Sequence, residues 1–141
     1  MKIKKLLAII LAMIMSLSIL SVAAFALAPE GGFSDYTYLA NGTRLDGFMN
    51  WQMGQATATS ILNNLPNNVW DLYTSVYISG SFYEYGTSYL TRTSNSGNGQ
   101  TVASAYIVNY SGNVWNSIEN TFFGTCNGYS DAMEWETITE W

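Results

Sequence analysis

The residues whose spacing most suggests chemistry lie at the C-terminal end, in Met133-Glu134-Trp135-Glu136-Thr137-Ile138-Thr139-Glu140-Trp141. Two carboxylates two positions apart on a strand share a face and stand roughly 6.6 Å apart. That distance lies between the carboxyl separations of retaining and inverting glycosidases, which makes Glu134 and Glu136 the pair to weigh for cleaving a sugar chain. Any Glu-x-Glu on a strand gives the same distance, however. Charges on an outer face also keep an edge strand from pairing with other chains. With Met133, Trp135 and Trp141 facing one way and Glu134, Glu136 and Glu140 the other, the segment reads first as a solvated edge strand. On that reading the chain is not an enzyme.

A second pattern is suited to binding. In Val69 to Leu90, VWDLYTSVYISGSFYEYGTSYL, one parity holds Trp70, Leu72, Val76, Ile78 and Phe82. The other holds Tyr73, Tyr77, Tyr83, Tyr85 and Tyr89. A period of two assigns one sheet face to each parity, so an aliphatic face is expected to back a tyrosine face. Phenol rings offer large, rigid, amphipathic contact area for stacking on sugar rings, with hydroxyls and nearby Ser and Asn as hydrogen-bonding groups. Tyrosine also favours strands for its own sake, so burial against a second sheet is the plain alternative. The candidate ligand-binding residues are Tyr73, Tyr77, Tyr83 and Tyr85, with Trp135 and Trp141 beside them.

Other chemistries lack their residues. The chain has no histidine and one cysteine, which leaves zinc and copper without a ligand set. Calcium needs only oxygen ligands, and Asp35, Asp46, Asp131 and the glutamates are of the right type. No D-x-D-x-D-G run gives such a site a location, and no cofactor is expected. Cys126 has no histidine to activate it, and no serine sits in a G-x-S-x-G elbow. A lysine–asparagine isopeptide needs a lysine that the body of the chain lacks. A thioester from Cys126 to Gln52, Gln55 or Gln100 is allowed only in the sense that the residues exist.

The elements that must position these groups begin after a leader. Lys2, Lys4 and Lys5 precede an uncharged run that ends in Ala24-Phe25-Ala26-Leu27-Ala28, followed by Pro29. This is the pattern of a secretory signal peptide over residues 1–26, with cleavage after Ala26 preferred to Ala28 because proline follows the latter. The run is also long enough to span a bilayer as an uncleaved anchor. Cleavage removes three of the five basic residues and leaves Arg44 and Arg92 against ten acids, a net charge of −8. So acidic a surface repels phosphate backbones and anionic headgroups, so neither nucleic acid nor a membrane is an expected partner after cleavage. Residues 27–141 suit one secreted domain. A lone cysteine excludes an intramolecular disulfide, and the Cys126 thiol is either buried or pairs two chains.

Within that domain, Phe33 to Phe48 reads as a hairpin about Asn41-Gly42, and Gln55 to Leu62 as a strand. Val69–Leu90 exceeds a normal strand and should turn near Gly80 or Gly86. Thr91 to Gln100 reads as a loop. Thr101 to Tyr110 is apolar on both faces and reads as a central strand, with Val114 to Phe123 pairing back on it. Gly124 to Asp131 reads as a loop and Ala132 to Trp141 as the last strand. About eight short strands and no amphipathic helix predict an all-β fold, a small antiparallel β-sandwich. The signal sequence and composition read as bacterial. The expectation is a secreted protein that binds an extracellular carbohydrate or cell-surface component. A small bacteriocin-like antagonist is the alternative, counted against by its acidity, and a glycoside hydrolase the third.

Overall fold

The computed structural model describes residues 30–112 and 114–138; the expected leader, Glu140 and Trp141 fall outside them. The described residues form eight strands and no helix: β1 (Gly31–Tyr38), β2 (Arg44–Gln52), β3 (Gln55–Asn63), β4 (Leu72–Glu84), β5 (Thr87–Asn98), β6 (Val102–Val108), β7 (Trp115–Cys126) and β8 (Tyr129–Ile138). They make two four-stranded antiparallel sheets, β1-β2-β3-β6 and β5-β4-β7-β8, as expected for a β-sandwich.

Local sequence explains the strands and their turns. In β3, Ala56, Ala58, Ser60 and Leu62 are buried while the intervening residues are not, the period-two pattern of a half-solvated sheet. The predicted turns at Asn41-Gly42 and Gly86 are present. Tyr85 and Gly86 both take positive φ, 49° and 79°, between Glu84 and Thr87. Asn127 and Gly128 do the same, with φ of 52° and 80°, between Cys126 and Tyr129. Two successive left-handed residues match the right-handed strand twist, which is why Asn-Gly is favoured there.

Several expectations change. Thr91 to Asn98 is not a loop but most of β5, its Ser, Thr and Asn side chains set along a polar edge. Gly124 to Asp131 is a tight hairpin of β7 and β8. β6 is an edge strand, not a central one; it pairs with β3, while β7 crosses to the other sheet beside β4. The apolar outer face of β6 thus leaves Tyr106 and Val102 exposed. Trp70 also departs from its parity: it precedes β4 and is 71% exposed. Its segment is pinned instead by Asn127, whose Oδ1 accepts from Trp70 N at 2.9 Å and whose Nδ2 donates to Asn68 O at 2.7 Å.

The core is asymmetric in side-chain size. Sheet β1-β2-β3-β6 presents Gly47, Ala56, Ala58, Ala103 and Ala105 inward, and sheet β5-β4-β7-β8 answers with Ile78, Trp115, Ile118 and Phe122. Trp115 Nε1 donates to Gln52 O at 3.1 Å, which satisfies the one polar atom of that buried ring. A smaller cluster of Leu39, Leu45, Leu62 and Cys126 fills one end. Cys126 is fully buried, so its thiol packs as a small apolar group.

The glycines report how close the layers lie. A Cβ on Gly47 would fall 2.5–2.9 Å from the Phe122 ring. One on Gly80 would fall 2.7 Å from Ile107 Cδ1 and 2.7–2.8 Å from Trp115. Overpacking of this kind costs about 1–3 kcal/mol. Gly47→Ala and Gly80→Ala should each lower the urea midpoint with an unchanged slope. Midpoints equal to the parent's in both variants would contradict this packing.

Candidate functional site

The solvent face of sheet β5-β4-β7-β8 brings part of the predicted tyrosine set together. Cross-strand partners share a face. The register therefore sets Tyr77 in a row with Ser94 and Thr121, and Ser75 in a row with Ser96 and Phe123. Tyr73 lies one step further along β4, opposite Asn98 and Thr125. Tyr73 and Tyr77 are half-buried, and Tyr73 meets Phe123 edge to face, with centroids 6.0 Å apart and planes at 63°. These three rings and the hydroxyls of Ser75, Ser94 and Thr121 line a shallow depression of about 330 Å³. Among the described residues, no ionised side chain lines it.

The other predicted residues lie elsewhere. Tyr83 is on the same face but about 20 Å further along the strand from Tyr77. Tyr85 stands at the hairpin tip, 98% exposed, on neither face. Tyr89 moves to the inner face, because the two-residue turn places it opposite Phe82; the rings stack with centroids 5.5 Å apart. One parity therefore does not carry through the turn. Trp135 belongs to the inner face of β8, where it stacks on Phe33 of β1 with centroids 3.5 Å apart at 15°. It closes one side of the sandwich, with Thr37 Oγ1 donating to Asp131 Oδ2 at 2.7 Å nearby. Trp141 lies outside the described residues.

Glu134 and Glu136 point outward and are exposed, opposite Thr121 and Glu119 of β7. The row Tyr77–Thr121–Glu134 sets Glu134 directly beside Thr121 and two strands, about 10 Å, from Tyr77. The carboxylates thus border the platform, with no cleft between them. Among the described residues, no three acidic or cysteine side chains converge as a metal site would require.

Sequence reasoning passed over two groups. The local pattern places Phe123 only within a strand; its place in the platform depends on β7 lying beside β4, which no local pattern encodes. The solvent face of β1-β2-β3-β6 holds Tyr36 and Tyr38, edge to face at 5.6 Å, with Arg44 5.3 Å over the Tyr36 ring. Arg44 Nε lies 3.0 Å from the Asp46 carboxylate, which also accepts from Asn63 Nδ2. That hydrogen bond to Asp46 is the main reason the Arg44 pKa is raised further above its ordinary value. The Tyr-x-Tyr spacing at 36 and 38 was the available signal.

Trp135 is assigned here to closure of the sandwich. Trp135→Ala should lower stability by about 1–3 kcal/mol, from lost stacking and burial against Phe33. It should leave the surface of β4 intact. A variant as stable as the parent in denaturant titration would contradict the assignment. Comparison with protein-family models, with curated protein sequences and with solved structures finds no match to this chain.

Proposed function

We propose that the chain is an exported β-sandwich whose role is to bind an extracellular carbohydrate or a cell-surface component. The platform is Tyr73, Tyr77 and Phe123 on the solvent face of β4 and β7. The observation that carries this reading is the chemistry of that depression: three rings, a rim of hydroxyls and an uncharged lining. Stacking supplies apolar contact on a sugar face, while Ser75, Ser94 and Thr121 supply neutral hydrogen bonds. Strands hold the rings, so little entropy is lost in ordering them on binding. Binding without catalysis is the proposed activity, and the carboxylates of β8 act as a solvating border. Tyr83, Tyr85 and Trp135 have no part in the platform.

Export rests on the leader sequence alone. The product recovered outside the cell should have the mass of a chain starting at Leu27; a product retaining residues 1–26 would contradict cleavage there.

On a glycan array the purified mature protein should retain at least one neutral oligosaccharide. Tyr73→Ala, Tyr77→Ala and Phe123→Ala should each weaken that binding by about tenfold, the scale of a lost anchor. No retained glycan, or retention indifferent to all three changes, would refute the reading.

A further inference from the structure

On the second side of the sandwich β5 and β6 run past each other, bridged by Asn95 of β5 and Ser104 of β6. A groove of about 370 Å³ lies along this seam and is lined from both strands, with Arg92, Ser94, Ser104, Tyr106 and Tyr110 among its residues. Tyr106 is 63% and Tyr110 94% exposed. The groove and the aromatic depression share Ser94 and Asn95, so the two adjoin across β5.

The main chain makes this seam a hydrogen-bonding surface. Leu62 N donates to Thr101 O at 2.7 Å, and Asn109 N to Gly54 O at 2.8 Å. Main-chain groups alternate sides along an antiparallel strand, so those of residues 101, 103, 105, 107 and 109 face β3. Those of Ser104, Tyr106 and Val108 face the seam. Asn95 Nδ2 donating to Ser104 O at 2.8 Å agrees with this. By the same alternation, Gly99 N donating to Leu72 O sets the main-chain groups of Arg92 and Ser94 toward the seam. Strand edges are commonly protected by charge. β1 carries Asp35 and β8 carries Asp131, Glu134 and Glu136, whereas β6 has no charged residue.

Arg92 is the feature that gives this groove a preference. Of the two arginines beyond the leader, Arg44 is engaged by Asp46, and among the described residues Arg92 has no carboxylate at ion-pair distance. Among the described residues, no acidic side chain lines the groove. Glu119 lies in the same cross-strand row, two strands or about 10 Å from Arg92, which is near the screening length at physiological salt. A guanidinium presents a planar fork of donors matched to a carboxylate.

We infer that the β5–β6 groove extends the binding site and takes a carboxylate-bearing sugar, a uronate, of the same glycan chain that crosses the aromatic platform. Arg92 pairs with the carboxylate, Tyr106 contacts the sugar face, and the edges of β5 and β6 supply hydrogen bonds to hydroxyls. This rests on the carbohydrate reading of the platform.

The test uses the mature protein at about 0.15 M salt against uronate-bearing oligosaccharides, each paired with its carboxyl-reduced counterpart. At least one acidic form should bind about tenfold more tightly than its reduced partner, and Arg92→Gln should abolish the difference. Arg92 is exposed, so this variant keeps the fold. Equal affinity for acidic and reduced forms overturns the inference, as does a preference that survives Arg92→Gln. If neutral binding then still depends on Tyr73, the platform stands without the groove. An acidic preference lost in Arg92→Gln but indifferent to Tyr73→Ala, Tyr77→Ala and Phe123→Ala supports the groove and removes the platform. Binding to no member of the panel overturns both.

Discussion

Everything else in this fold depends on the close approach of its two sheets, made possible where glycine or alanine in one layer meets a large side chain of the other. Phe122 lies over Gly47 of the facing sheet, and Ile107 lies over Gly80, which has Trp115 beside it in its own sheet. The domain has no disulfide, so its stability comes from burial and packing. The same approach holds β4 and β7 side by side with their inner residues locked. Their outer residues, Tyr73, Tyr77 and Phe123, are presented on a rigid surface as a consequence. Thr74 Oγ1 donating to Ser60 Oγ at 3.0 Å and Trp115 Nε1 donating to Gln52 O at 3.1 Å add directional ties between the layers.

The two open sides of the sandwich are finished differently. Between β1 and β8 the Phe33–Trp135 stack and the Thr37–Asp131 hydrogen bond seal the layers with apolar contact and a charged rim. Between β5 and β6 one side-chain amide spans the seam, and the main-chain edges remain directed into a groove. A small sandwich must cover or protect its edges to avoid pairing with other chains. Here β5 lies across the uncharged β6 and shields it, while leaving space between them. Structural protection and ligand access are thus two properties of one seam.

How much was legible differs between fold and site. The inward faces of β3 and β4, the Asn41-Gly42 turn and the all-β class followed from alternation and turn chemistry, both local. The polar composition of Thr91–Asn98 hid a strand, because an edge facing solvent on much of its surface needs few apolar residues. The apolar faces of β6 suggested a central strand; its outer face instead contributes Tyr106 to a groove. Of the aromatic candidates, Tyr73 and Tyr77 come together, while Tyr89 and Trp135 turn to the inner side. The reason is geometric: a two-residue hairpin pairs even positions with odd ones, so a parity assigned on β4 is exchanged on β5.

By itself the sequence determined the chemistry that this chain lacks, the sign of its charge, and which residues of each strand share a face. Those properties depend on composition and on a two-residue period, and neither requires knowing a neighbour. Which strands lie side by side was decided only by the tertiary structure, through crossovers that join β3 to β6 and β4 to β7. Phe123 became part of the platform, and Arg92 and Tyr106 part of one groove, by that choice. Strand neighbours are selected by packing of the whole core, summed over residues far apart in the chain. No local pattern carries that sum.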